Sequence, residues 1–221
     1  MTKRAKSATY EPTPAQQAIQ ECIQKHPISF IFGGAGTGKT HAAAMEGAYS
    51  VEECSVSRMI LMRPAIEAEG EDLGYLPGSA EQKVEPYLYP VLDSLKDVWP
   101  HPEGKMKSGQ LEYWPIAHLR GRTFRDAFAL VDEAQNLTMS QMYLVLTRIG
   151  IQENNRLVLV GDWDQPDRER GANGRALCDM LRGRPNVGHI DLRASDVVRH
   201  PVVVEVINAY SEIMKQRAGG G

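Results

Sequence analysis

The segment Gly33-Gly34-Ala35-Gly36-Thr37-Gly38-Lys39-Thr40 constrains this chain more than any other. Four glycines within six positions let the backbone turn so tightly that successive N–H groups can converge on one anion. Upstream, Ile28-Ser-Phe-Ile-Phe32 has the short apolar run of a buried strand, and downstream an alanine-rich stretch from Lys39 to Ser50 reads as a helix. A strand, a glycine turn and a helix N-terminus in that order form a phosphate cradle, because the helix dipole points its positive end at the same anion. In that setting Lys39 would reach the β- and γ-phosphates and the Thr40 hydroxyl would bind Mg²⁺. The backbone of Gly33–Thr40 and His41 just beyond it would complete the nucleotide contacts. A plain glycine turn would need neither the lysine nor the flanking elements.

Three further apolar runs carry polar residues at their ends. Met59-Ile-Leu-Met62 leads to Arg63, Phe128-Ala-Leu-Val131 to Asp132 and Glu133, and Leu157-Val-Leu-Val160 to Gly161-Asp-Trp-Asp-Gln165. A fourth, weaker run lies near His189–Leu192. Apolar runs alternating with helical stretches predict a mostly parallel sheet covered on both faces, an α/β fold. Ligands of such sheets bind at the C-terminal ends of the strands. Asp132 can there hold Mg²⁺ opposite Thr40, and Glu133 can act as general base on a water. Gln165 can hydrogen-bond that water or the γ-phosphate. An apolar run followed by Asp-Glu is common by itself; its pairing with the glycine loop makes it informative.

Helix signals frame these runs. Thr13 followed by Pro14 opens a helix to about Lys25, and Thr138 with Gln141 forms a capping box for one ending at Gly150. Gln16 or Gln17 precedes the loop at a distance that would let a glutamine amide read an adenine edge. The stretch 63–77 reads as a functional loop, 79–98 as a helix broken by Pro86 and Pro90, and 100–109 as an exposed excursion. Pro201 begins a last helix whose Val203, Val206, Ile207, Tyr210 and Met214 share one side. The expected layout is a flexible basic tail over 1–11, one ATPase domain over 12–216 and a glycine-rich tail over 217–221.

Composition narrows the class. With 221 residues, 42% of them hydrophobic and 24% charged, the chain can bury one core and has no run long enough to span a membrane. Met1-Thr-Lys-Arg-Ala-Lys-Ser leads into Tyr10-Glu-Pro-Thr-Pro, not into the apolar core of a secretory signal. Three scattered cysteines and six unpatterned histidines give neither a disulfide framework nor a zinc site, so a cytoplasmic location is expected. A net charge of −3 argues against coating nucleic acid by bulk electrostatics. The charge is uneven, however: 67–85 is acidic, His118, Arg120, Arg122 and Arg125 form a basic cluster, and 168–184 holds five arginines.

From about residue 12 to 211 the chain resembles the PhoH-like ATPases. The resemblance rests on Gly33–Thr40, Arg63-Pro-Ala-Ile-Glu-Ala, Leu73-Gly-Tyr-Leu-Pro-Gly78, Lys83-Val-Glu-Pro-Tyr-Leu88 and Leu119-Arg-Gly-Arg-Thr-Phe124. It continues through Val131-Asp-Glu-Ala-Gln-Asn136, Leu146-Thr-Arg-Ile-Gly150, Gly161-Asp-Trp-Asp-Gln165 and Asp196-Val-Val-Arg-His-Pro201. The likeness implies a RecA-like P-loop fold similar to the first motor domain of superfamily-one helicases. It further implies ATP and Mg²⁺ as cofactors, RNA-related roles and a homo-oligomer, in some members a ring-shaped hexamer. Ala68-Glu-Gly-Glu71 departs from the usual Ala-Gly-Glu, and no appended RNA-binding or nuclease domain fits in the chain. Short versions of this kind resemble those carried by bacteriophages.

A helicase-type motor needs two such units, one lending a cationic finger to the other. One unit per chain therefore implies a site shared between identical subunits, with Arg199 as the first candidate finger and Arg120 and Arg122 as alternatives. Arg63 corresponds to a nucleic-acid backbone contact in helicase-like proteins, and Thr147 and Arg148 are further candidates for single-stranded RNA or DNA. Few aromatics, 7%, leave no evident stacking platform. The competing expectation is a nucleotide-dependent switch whose ATP state controls a protein partner.

Overall fold

The computed structural model describes residues 11–64, 89–163 and 172–198, with 202–206, 209 and 213. Its centre is a six-stranded sheet of β1 (Ile28–Phe32), β2 (Arg58–Met62), β3 (Leu111–Tyr113), β4 (Ala127–Val131), β5 (Arg156–Gly161) and β6 (Val187–Asp191). The order is β3-β2-β4-β5-β1-β6, and every pairing is parallel. The helices include α1 (Pro14–Lys25), α2 (Lys39–Glu52), α3 (Pro102–Lys107), α4 (Met139–Leu146) and α5 (Ala172–Leu181), with further helical residues at 89–95 and 202–206.

Both faces of the sheet are covered, which is why its strands are apolar throughout and do not alternate. Ile31, Leu61, Phe128, Leu130, Val158 and Val160 pack with Ile19, Ile23 and the alanines of α2 on one side. Phe30, Ile60, Ala129, Val131 and Leu159 pack with Leu137, Met142, Val145 and Cys178 on the other. Each buried large side chain contributes roughly 1.5–3 kcal/mol. Small side chains on α2, with Ala42, Ala43, Ala44 and Ala48 fully buried, bring that helix close to the strands and anchor the glycine loop at its start.

The α/β expectation holds, and β5 stands between the glycine-loop strand β1 and the carboxylate strand β4, a RecA-like arrangement. Two details differ from the sequence reading. The stretch expected as an exposed excursion contains α3 and is followed by the edge strand β3, which is only three residues long with one fully buried member, too short for a periodicity signal. Helix α4 stops at Leu146, short of Gly150, because the Thr147 hydroxyl turns back onto the Tyr143 and Leu144 carbonyls at 2.9 and 3.1 Å. The expected last helix is present over 202–206, where Val203 and Val206, read as sharing one side, are both exposed. Among the described residues no helix is long and apolar enough to cross a membrane.

Candidate nucleotide site

Because all strands run the same way, the ends of β1, β4 and β5 open onto one edge. The glycine loop leaves β1 there, and Gly38 ends it in the left-handed region, φ 76°, as N-cap of α2. The positive φ calls for glycine here, and a Cβ at Gly38 would in addition lie 2.5 Å from Gln16 Nε2 and push that side chain aside. The loop is braced internally: Thr37 Oγ1 and Lys39 Nζ donate to the Gly34 carbonyl at 2.9 and 3.1 Å. It is braced externally by the Val198 N–H, which donates to the Gly36 carbonyl at 2.9 Å.

Across the crevice the Thr40 hydroxyl donates to Asp132 Oδ1 at 2.9 Å. Burial raises the Asp132 pKa, the Glu133 charge adds to this, and Arg63 and the Thr40 hydrogen bond oppose it. Burial also lowers the Lys39 pKa, against the pull of Asp162, Glu133 and Asp132. The Arg63 guanidinium faces both carboxylates, 3.9 Å from Asp132 and 3.8 Å from Glu133. Three acids and two cations thus share one partly desolvated pocket.

Glu133 sits in the left-handed region, φ 55° and ψ 39°, which costs a non-glycine residue about 1–3 kcal/mol. This backbone turn carries it off the end of β4 into the short helical turn Ala134–Asn136. Gln135, fully buried, donates its Nε2 to Glu133 Oε2, while its Oε1 lies against Gly161 at the end of β5. Any side chain at Gly161 would collide with that amide, so the glycine admits Gln135 to its place.

The structure brings Gln16, Gly33–Thr40, Asp132 and Glu133 to one edge of the sheet. The Gln16 carboxamide oxygen accepts the Thr13 N–H at 2.9 Å, and its nitrogen lies beside Gly38. His41 pairs with Asp97 at 3.5 Å, and burial lowers its pKa despite that carboxylate. Arg63, expected as a nucleic-acid contact, lies against the carboxylates. Thr147 and Arg148 lie elsewhere, at the end of the sheet where strands begin, since the Arg148 carbonyl accepts the N–H of Phe124 just ahead of β4. Arg120 is exposed, and Arg122 stacks on Trp114 at 4.5 Å. Gln165 and Arg199 lie outside the described residues.

Sequence reasoning missed Gln135 and Asp162. Asp162 carried the signal that revealed Asp132, a first polar residue after an apolar strand. Nothing local distinguishes Gln135, which matters through its contacts with Glu133 and Gly161.

Fold and site together define a protein of the P-loop NTPase class. The chain belongs to the PhoH-like protein family, whose profile matches residues 10–211. It is 40% identical over 217 residues to a PhoH-like protein of Bacillus subtilis (strain 168), spanning 96% of this chain and 67% of that protein. Over 209 residues it is 40% identical to a PhoH-like protein of Mycobacterium tuberculosis, covering 92% of this chain and 58% of that one. Identity to Protein PhoH of Escherichia coli (strain K12) is 36% over 208 residues, 89% of this chain and 56% of the other. The chain therefore spans between about half and two thirds of these relatives. Among solved structures, a Bacteroides Pif1 bound to ssDNA aligns with a TM-score of 0.40 at 14% identity, over 91% of this chain and 46% of that chain.

Proposed function

We propose that this chain hydrolyses ATP with Mg²⁺ and couples the reaction to single-stranded RNA or DNA as a homo-oligomer. The observation that carries the reading is the Thr40–Asp132 contact at 2.9 Å, made by two oxygen groups beside the loop lysine. One hydroxyl and one carboxylate suit Mg²⁺, which takes few protein ligands and fills its sphere with water and phosphate oxygens. Held by these two groups, the ion would neutralise phosphate charge. Lys39 and the loop N–H groups would bind the phosphates, and Arg63 would keep the two carboxylates oriented. Glu133 would take a proton from the attacking water, steadied at its second oxygen by Gln135. Gln165 would align that water, and Arg199 from a neighbouring subunit would face the γ-phosphate.

The test is steady-state hydrolysis with and without single-stranded oligonucleotides, together with a native mass. Glu133→Gln should lower kcat by about 10²–10⁴-fold while nucleotide binding persists. Turnover unchanged in that variant would remove Glu133 as the base. A rate indifferent to nucleic acid, with a protein partner held only in the ATP state, would replace the motor reading with a switch.

A further inference from the structure

At the opposite end of β4 from Asp132, the turn 118–125 presents His118, Arg120, Arg122 and Arg125, all exposed. Among the described residues none of the four has an ion pair, although Asp126 follows directly in sequence. In a chain of net charge −3, three arginines without ion-pair partners and a histidine within eight residues make this turn locally positive.

The turn is rigidly mounted. Gly121, at φ 78°, separates Arg120 from Arg122, whose guanidinium lies 4.5 Å from the centre of the Trp114 ring. Stacking fixes the plane of that guanidinium and leaves its N–H fork available to an anion. Buried Asn155 ties the turn to the strand, donating to the Phe124 carbonyl and accepting the Ala127 N–H, both at 3.0 Å. The Phe124 N–H in turn donates to the Arg148 carbonyl at 2.7 Å, joining the turn to the end of α4. One helical turn back on α4, Tyr143 is 64% exposed.

We infer that this turn and the adjoining end of α4 form a phosphate-tracking surface for single-stranded nucleic acid, with Tyr143 as a base-stacking platform. The inference rests on the nucleic-acid part of the proposed function and assigns it a place. Planar arginine forks suit phosphate, and an exposed aromatic on the helix that precedes Arg148 suits bases, which an acidic protein patch would not need. The five residues of β4 span about 17 Å, so one strand links this surface to the nucleotide carboxylates.

The experiment measures binding of a fluorescent 20-nucleotide oligouridylate and an oligothymidylate to the full chain by anisotropy, across a salt series. Arg120→Gln with Arg122→Gln should weaken binding at least tenfold and lower the log–log salt slope by about 1.4, that is about 0.7 per lost phosphate contact. A second pair, Arg120→Gln with Arg125→Gln, leaves the Trp114 stacking intact and should do likewise. Tyr143→Ala should weaken binding with the slope unchanged. If the wild type binds and both pairs bind equally well, this surface is wrong while the nucleic-acid reading stands. If the wild type itself fails to bind at low salt, both fall. Unaltered binding together with lost hydrolysis in mixtures with Lys39→Ala chains would make the turn a finger for the neighbour's nucleotide, overturning the inference.

Discussion

Asp132 carries a cost at neutral pH that its position explains. It is 7% exposed and beside Glu133, so two like charges share a desolvated corner that Arg63 offsets only from 3.9 Å. Its folded pKa lies above the ordinary carboxylate value of 3.8, first through burial and then through Glu133. The folded protein therefore holds this proton more tightly than the unfolded chain does. The resulting stabilisation is present at low pH and is lost as pH rises from 3.8 through the raised value. Asp132→Asn keeps an acceptor for Thr40 and removes the buried charge. It should raise the thermal midpoint at pH 7.5 by about 2–4 °C per kcal/mol recovered while ending Mg²⁺-dependent turnover. The gain over wild type should shrink as pH falls towards 4. Calorimetry showing a lower midpoint for the variant would mean that Arg63 more than offsets the burial.

Among the elements, α1 and α4 open with the same device, a Thr–Gln capping box at Thr13/Gln16 and Thr138/Gln141. Removal of either threonine side chain should cost about 1 kcal/mol. Their functional consequences should differ. Gln16 also lies against Gly38, whereas Gln141 caps α4 alone among the contacts described. Thr13→Ala should then weaken nucleotide binding beyond its stability loss, and Thr138→Ala should not. Calorimetric melting paired with nucleotide titration separates the two effects, and equal nucleotide affinities would sink the distinction. The elements also differ in how openly the sequence declares them. Strands β1, β2, β4 and β5 are legible as apolar runs because each is covered on both faces. Strand β3 is not, because an edge strand of three residues borrows its pairing from Met59, Ile60 and Leu61 of β2.

For the whole molecule, the open matter is where the nucleotide site is completed. The segment leading to Arg199 is fixed to the loop through the Val198–Gly36 hydrogen bond, and beyond it Val202, Val203 and Val206 are exposed. If the site is shared between subunits, Arg199→Ala and Lys39→Ala chains, each inactive alone, should regain part of the wild-type ATPase rate when mixed. Each mixed interface can pair an intact loop with an intact arginine, so recovery near a quarter of the wild-type rate follows from random assembly, roughly as chance pairing would give. No recovery in a mixture whose native mass shows hybrid oligomers would place catalysis within one chain.

The phosphate-binding chemistry was determined by the sequence alone, because Gly33–Thr40 is contiguous and its conformation is a local property of glycines before a helix. So was the α/β class, since doubly covered strands must be apolar throughout. The sequence also pointed to Asp132 opposite Thr40, as the first polar residue after an apolar run, although the order of strands in the sheet is what carries it across 92 residues to that hydroxyl. Arg63 between the two carboxylates and Gln135 behind Glu133 were decided only by tertiary structure. Side chains distant along the chain meet only after the packing of both sheet faces has set which strand ends are neighbours, and no local pattern encodes that choice.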